Sequence, residues 1–460
     1  MDVMSIIKQI NGILWGPVML FLLLGTGILY TIKLRFLQVR RLKDIFKQTF
    51  GGIFNKDNKG QDGISSFQAL ATAIAAQVGT GNLAGIATAI ASGGPGAVFW
   101  MWVSAFFGMG TIFSEAVLAQ TYSEKIDGEV TGGPAYYIKK GLGSKFLAGF
   151  FAVTIIIALG FVGNMVQSNS IGEAFNSAFE IPNIISGIII AVLVGLIVFG
   201  GISRIASFAE KVVPFMAVLY IFGGLIIVLK NFNMILPAFK MIIQGAFNPA
   251  AATGGIIGAT VKEAFRYGIA RGLFSNEAGM GSTPHAHAVA NVEHPAQQGL
   301  VAIMGVIIDT LVVCTFTALV ILMTGVIDTG MTGIALTQEA FTRGFGSFGN
   351  PFIAICLLFF SFTTIVGWYF FGEANVKYLF GKKSLTIYRI LVLAFIVLGT
   401  TMNVPIVWEL ADMFNGLMVI PNLIALLGMI SLVAKTLNDY ETTYDEPGIK
   451  KINQNIDNVV

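Results

Sequence analysis

The chain has little charge, and still less cysteine and histidine. Only 12% of its 460 residues are Asp, Glu, Lys or Arg, against about 25% in a typical globular protein. A soluble fold of this size would not have enough charges to cover its surface, which excludes a cytosolic enzyme and a disordered chain. Cysteine occurs twice, as Cys314 and Cys356, each inside an apolar run, so no disulfide framework or thiolate metal site is indicated. A net charge of +3, with Lys and Arg mostly between the apolar runs, gives no basic surface for nucleic acid. The apolar runs also lack paired carboxylates and His–Cys or His–Asp constellations, which argues against a membrane-embedded enzyme. What the sequence does have is 55% hydrophobic residues, 54 Gly, 38 Phe and a mean hydropathy of +0.78. These values describe a polytopic protein of the lipid bilayer.

A hydrocarbon core about 30 Å thick takes roughly 20 apolar residues per helix. Eleven such runs are present, approximately 15–32, 65–91, 97–122, 146–171, 183–202, 211–229, 255–288, 299–324, 350–376, 385–403 and 412–434. None alternates with period two, so the expected class is all-α, not a barrel. Trp15, Trp100, Trp102 and Trp408 fall near run ends, where interfacial aromatics collect. The first run is too long for a signal-peptide core and lacks an A-x-A-like site, so it is expected to be retained. Segment 234–250, with Pro237 and Pro249, reads as an external re-entrant or amphipathic piece. No linker of domain length divides the chain. The expectation is a single transporter domain: an extra N-terminal helix (11–33), two repeats (64–230 and 251–434) and a cytoplasmic tail (435–460).

Basic residues set the orientation. Segment 33–64 holds Lys33, Arg35, Arg40, Arg41, Lys43, Lys47, Lys56 and Lys59, and alternate connections from there continue the excess. The opposite set carries only Lys8, Lys230, Lys240 and Arg343. Positive residues mark the cytoplasmic side, so the N-terminus is expected outside a multi-pass cell membrane protein and the C-terminus inside.

Two runs are interrupted by polar residues and glycine. The second contains Gln77-Val78-Gly79-Thr80-Gly81-Asn82, and the seventh contains Phe274-Ser275-Asn276-Glu277-Ala278-Gly279. Non-helical backbone at mid-depth survives only where protein buries it or where it lines a cavity. With the first run set aside, the interruptions open the first and second five helices, as an inverted repeat would place them. Such paired breaks point to a transporter's binding site. Free N–H groups at one half-helix start suit a carboxylate, and free C=O groups at the other half-helix end suit a cation. Glycine-mediated helix packing is the plainer reading of Gly79 and Gly81, but Asn82 and the matching second break favour a site.

Other polar residues in the runs allow more than one role. Glu277 is either functional or a structural acceptor for unwound backbone. Asp309, Glu373 and Glu115 read as interhelical ties. Thr363 and Thr364 would by default bond back along their own helix. Asn164 and Gln167, one turn apart, either line the cavity or clamp helices. His285-x-His287 reads as the cytoplasmic end of the seventh run, since its imidazoles diverge on a helix.

The block Gly93-Gly94-Pro95-Gly96-Ala97-Val98-Phe99-Trp100-Met101-Trp102-Val103-Ser104-Ala105-Phe106-Phe107-Gly108 resembles the signature of the sodium:alanine/glycine symporters. Val78–Asn82, Phe274–Gly279 and Gly163–Gln167 are similar to other blocks of that family, and the resemblance runs from about residue 11 to 434. It implies eleven transmembrane helices whose last ten form the five-plus-five inverted repeat of the amino acid–polyamine–organocation superfamily. It also implies sodium-driven uptake of a small neutral amino acid, alanine or glycine. Apart from the resemblance, a proton-coupled transporter using Glu277 is the alternative reading. Substrate would be held around Gly79, Thr80, Gly81, Asn82, Asn164, Gln167, Ser275, Asn276 and Glu277, with Trp368 limiting side-chain size. One co-transported sodium would lie near Ala75, Val78, Thr363 and Thr364. Gln77, His285 and His287 depart from the residue types expected there.

Overall fold

A computed structural model describes residues 3–51, 63–126, 128–248, 259–402 and 404–445. Within the described residues, each of the eleven apolar runs falls on one helix or on two or three consecutive helical pieces. Among the described residues, eight helices are long and apolar enough to cross a bilayer, and a ninth crossing results if the bent pair Ser66–Gln77 and Gly81–Gly93 counts as one. Side chains such as Ile188, Val192 and Leu196, or Val218, Phe222 and Leu229, are exposed along single faces. Exposed apolar stripes of this kind belong against lipid tails. An antiparallel hairpin, Glu124–Ile126 with Glu129–Thr131, is the only sheet among the described residues. It is clasped to the helix Gly349–Phe380 by Lys377, 2.8 Å from Glu129, and this bond holds the Glu129 carboxyl below its usual range.

Both broken helices open the same way. Ser65 caps Ser66–Gln77, exchanging bonds of 3.1 Å with Gln68 in each direction. Thr260 caps Val261–Asn276 through the equivalent exchange with Glu263. Each box satisfies amides that the first turn leaves free. Val261–Asn276 packs against Gly96–Thr121, where glycine permits contact that no other residue would. A Cβ on Gly268 would lie 2.3 Å from the Ala97 carbonyl oxygen, and one on Gly96 would lie 2.1 Å from the Gly245 backbone. The glycine-rich start of the sixteen-residue block is therefore a seat for the helices Val261–Asn276 and Ile235–Phe247.

The N-terminal helices Val3–Leu14 and Pro17–Lys33 run alongside Val404–Gly428, the last membrane helix, in the same chain direction. Asn11 Nδ2 donates to the Glu409 carbonyl at 2.8 Å, Trp15 Nε1 to the Asp412 carbonyl at 2.8 Å, and Tyr30 to the Leu426 carbonyl at 2.5 Å. Beyond them Arg41 reaches Glu441 at 3.3 Å.

Three features add to the sequence reading. The segment read as tail from 435 begins within a further helix, Ile430–Asp445, whose Tyr440 accepts from Gln48 at 3.1 Å. An amphipathic helix, Gly333–Phe345, fills the connection between the eighth and ninth runs, and its Thr337 hydroxyl donates to the Leu83 carbonyl at 3.0 Å. The piece read as 234–250 is a helix over Ile235–Phe247; Pro249 and the first residues of the seventh run lie outside the described residues.

Candidate functional site

The first break is short. Ser66–Gln77 stops at Val78, whose ψ of 93° is extended, and the chain restarts at Gly81–Gly85 as a widened π-helical turn, bent by 52° overall. Asn82 stabilises the restart, because its Oδ1 accepts from the Gly79 amide at 2.9 Å. Gln167 does the same for the next amide, with Oε1 accepting from Thr80 N at 3.2 Å. Thr364 closes the other side: its Oγ1 lies 3.2 Å from the Val78 carbonyl and 3.0 Å from that of Phe360. A Cβ at Gly79 would sit 2.4 Å from Thr364 Oγ1, so glycine alone fits this approach.

The second break is longer and begins later than the sequence suggested. Phe274, Ser275 and Asn276 complete the helix, and the chain leaves it at Glu277, which is left-handed at φ 59°. Gly279 (φ 89°) and Gly281 (φ 80°) carry the turn to the half-helix Pro284–Ala288. The amides exposed here are collected by Glu115, which accepts from Gly279 N at 3.0 Å, Gly281 N at 2.9 Å and Asn422 Nδ2 at 2.7 Å. Glu115 is thus the tie it was read to be. The backbone-acceptor role considered for Glu277 falls to Glu115 instead, while Glu277 accepts from Trp368 Nε1 at 2.6 Å and Ser282 Oγ at 2.5 Å.

The two breaks touch. Gln77 Nε2 donates to the Asn276 carbonyl at 2.6 Å, and a Cβ on Gly81 would reach Ser275 Cα at 3.4 Å. Asp309, read from sequence as an interhelical tie, lies at this junction. It sits on a π-helical stretch, Ile307–Cys314, and accepts from Asn82 Nδ2 at 2.6 Å, Ser275 Oγ at 3.0 Å and Thr310 Oγ1 at 2.7 Å. Glu115, Glu277 and Asp309 are all buried, and none forms an ion pair among the described residues. The Thr80 hydroxyl and Asn164 Oδ1 are buried with no partner among the described residues. Trp368 packs on Gly163, so it borders the helix that carries Asn164 and Gln167.

Of the residues anticipated from sequence, Gly79, Thr80, Gly81, Asn82, Gln167, Ser275, Asn276, Glu277, Trp368, Val78 and Thr364 are brought together at the breaks. Two bond back along their own helices. Asn164 Nδ2 bonds its own helix at Gly160, 2.9 Å away. Thr363 Oγ1 lies 3.4 Å from Met216 Sδ and 2.9 Å from the Phe360 carbonyl, one residue's rotation away from Thr364. Ala75 is buried inside Ser66–Gln77, one turn before the break. Asp309 and Asn422 are the residues whose place here was not anticipated; an acid in an apolar run and the Pro421-Asn422 pair were the signals. His285 is a packed side chain, stacked between Phe151 and Phe371 and 2.8 Å from Asn375 Nδ2.

The profile of the sodium:alanine symporter family matches residues 1–454. The chain belongs to that family. It is 44% identical to the sodium/alanine symporter AgcS of Methanococcus maripaludis, over 95% of this chain and 98% of that one. It is also 44% identical to the probable sodium/glutamine symporter GlnT of Bacillus subtilis, over 94% of this chain and 89% of that one. An uncharacterized transporter of Haemophilus influenzae shares 43% identity across 96% of both chains. The family member described here is accordingly a multi-pass membrane transporter of amino acids and not an enzyme.

Proposed function

We propose that the protein is a secondary active transporter that couples sodium to the uptake of a small neutral amino acid, alanine or glycine, by alternating access. The observation that carries this reading is the contact between the two helix breaks, made by Gln77 and the Asn276 carbonyl. Broken helices meeting at mid-depth offer amides to a carboxylate and carbonyls to a cation at one point. The amides of Gly79 and Thr80, now held by Asn82 and Gln167, are the carboxylate partners. The unpartnered Thr80 hydroxyl and Asn164 oxygen suit an arriving ammonium, with Gln167, Ser275, Asn276 and Glu277 around them and Trp368 as the wall. Sodium takes oxygen from Val78 and Thr364, with Ala75 and Thr363 as further ligands if their helices rotate.

Eleven spans follow if the short helix Asn183–Val198 and the pair Val261–Asn276 and Pro284–Ala288 join the nine counted above. Support comes from the parallel course of the first and last helices, which requires an odd number of crossings if both span. The matching capping boxes at Ser65 and Thr260 support the inverted repeat over 64–230 and 251–434, the whole being one domain. The N-terminus is then outside and the tail cytoplasmic.

One sodium with a neutral zwitterion moves one net charge. At 100 mV that supplies about 2.3 kcal/mol, and a tenfold sodium gradient adds about 1.4 kcal/mol, enough to concentrate substrate several hundred-fold. Uptake of labelled alanine and glycine into proteoliposomes is expected only with an inward sodium gradient; equal uptake without sodium refutes the coupling. The orientation of the two threonines gives a sharper expectation. Thr364→Ala should raise the sodium concentration for half-maximal uptake about tenfold, the worth of one buried hydrogen-bonding group, and Thr363→Ala about twofold or less.

The three buried carboxylates without ion pairs also favour a second reading, proton coupling, since each is an uncompensated charge until a cation or proton arrives. Collapsing the pH gradient at constant sodium separates the two: sodium-coupled uptake persists and proton-coupled uptake stops.

A further inference from the structure

At the end of the bundle that carries Lys8, two cavities of about 290 and 380 Å3 adjoin, sharing Lys8, Arg271, Glu409 and Asp412 as walls. One reaches down to Ala84 and Gly85 just past the first break, and the other to Phe274, the neighbour of Ser275. Between them lies Arg271. Its Nη2 is 3.5 Å from Asp412 Oδ2, a long contact for an ion pair, and its Nε is buried without a partner among the described residues. The guanidinium rests over the rings of Phe274 and Trp408, at 5.9 and 5.8 Å from their centres. Glu409 Oε2 takes one bond, from Asn11 at 2.7 Å. A planar donor fork with unused capacity therefore lies beside Asp412, with Glu409 and Lys8 on the same cavity walls, and each cavity is large enough for a small solute.

That pattern mirrors the charges of an α-amino acid. A guanidinium binds a carboxylate through two parallel bonds, and the ammonium at the other end of the same molecule fits between Glu409 and Asp412. The geometry points to a second, outer binding site that captures the zwitterionic head of an amino acid before it enters the inner site. The site recognises the head group and leaves the side chain largely unread. It rests on the orientation proposed above, which places this mouth outside. Arg271 is one helical turn before Ser275, and Phe274 and Trp408 lie together with ring centres 5.9 Å apart. A ligand that draws the guanidinium from Asp412 thus also loosens the aromatic pair over the inner site.

Equilibrium binding of labelled L-alanine and glycine to the purified full-length protein in sodium-free buffer tests this. A weak saturable phase is expected. It should survive Asn276→Ala, which alters the inner site, and weaken at least about tenfold, or 1.4 kcal/mol, in Arg271→Gln and in Glu409→Gln. Arg271→Lys should restore part of it, and propionate, which lacks the ammonium, should compete poorly. The proposal is overturned if no saturable sodium-free phase exists, if both substitutions leave it unchanged, or if propionate competes as well as alanine. If Arg271→Gln does not yield monodisperse protein, Glu409→Gln and the propionate competition decide. Failure of the inner-site reading looks different: the sodium-free phase remains, and proteoliposomes take up no alanine.

Discussion

Gly79→Ala is expected to abolish transport while leaving a folded, membrane-inserted protein. The added methyl would lie 2.4 Å from Thr364 Oγ1 and 3.1 Å from Gln167 Oε1, so both side chains must retreat from the break. Overpacking of this kind costs about 1–3 kcal/mol of stability, which a large membrane bundle tolerates. The effect on function is expected to be larger, because in the proposed site the methyl occupies the space through which ligand and cation approach the backbone. Uptake should fall by about two orders of magnitude, the scale of losing 3 kcal/mol of binding. Combining Gly79→Ala with Thr364→Ala should recover thermal stability through relief of the clash, without recovering sodium-dependent uptake; coupling between contacting residues is what such a cycle measures. Wild-type uptake by Gly79→Ala would mean that nothing approaches the backbone there.

Glu115→Ala is expected to be the most destabilising single change near the site. It strips the Gly279 and Gly281 amides of their acceptor and leaves Asn422 with the Gly279 carbonyl at 2.9 Å and its bond from Tyr137. Two orphaned buried amides at about 1–3 kcal/mol each, plus the vacated volume, give a loss on the order of 3–6 kcal/mol. Glu115→Gln keeps one acceptor oxygen and should lose about half as much. Thermal unfolding in detergent, followed by size-exclusion fluorescence, reads both. An unfolding temperature for Glu115→Ala within a degree or two of wild type would show that the turn at 277–283 holds itself.

The helices were legible in the sequence because lipid imposes a simple rule: an apolar run long enough to cross must satisfy its own backbone. The breaks were legible because glycine and amide side chains at mid-depth violate that rule. Their exact extent was not. Phe274, Ser275 and Asn276 look like part of the interruption, yet a helix can end on polar residues and unwind only where Glu277, Gly279 and Gly281 take positive φ. The roles of isolated acids were also hidden. Glu115 and Asp309 each sit in an apolar run, and their partners come from up to 307 residues away. Nor does sequence say which of two adjacent threonines faces a neighbour. Successive residues on a helix are rotated by about 100°, so Thr364 meets Val78 while Thr363 meets Met216.

The N-terminal helix is no passenger: its bonds at Asn11, Trp15 and Tyr30 are all made to the final membrane helix. Two rods fastened by Asn11 and Trp15, one turn apart, and again by Tyr30 some four turns further on must tilt together. Any rocking of the last helix would carry the first along, and the moving element of this carrier would be a braced pair. A disulfide staple joining them at the level of Trp15 should therefore leave turnover untouched.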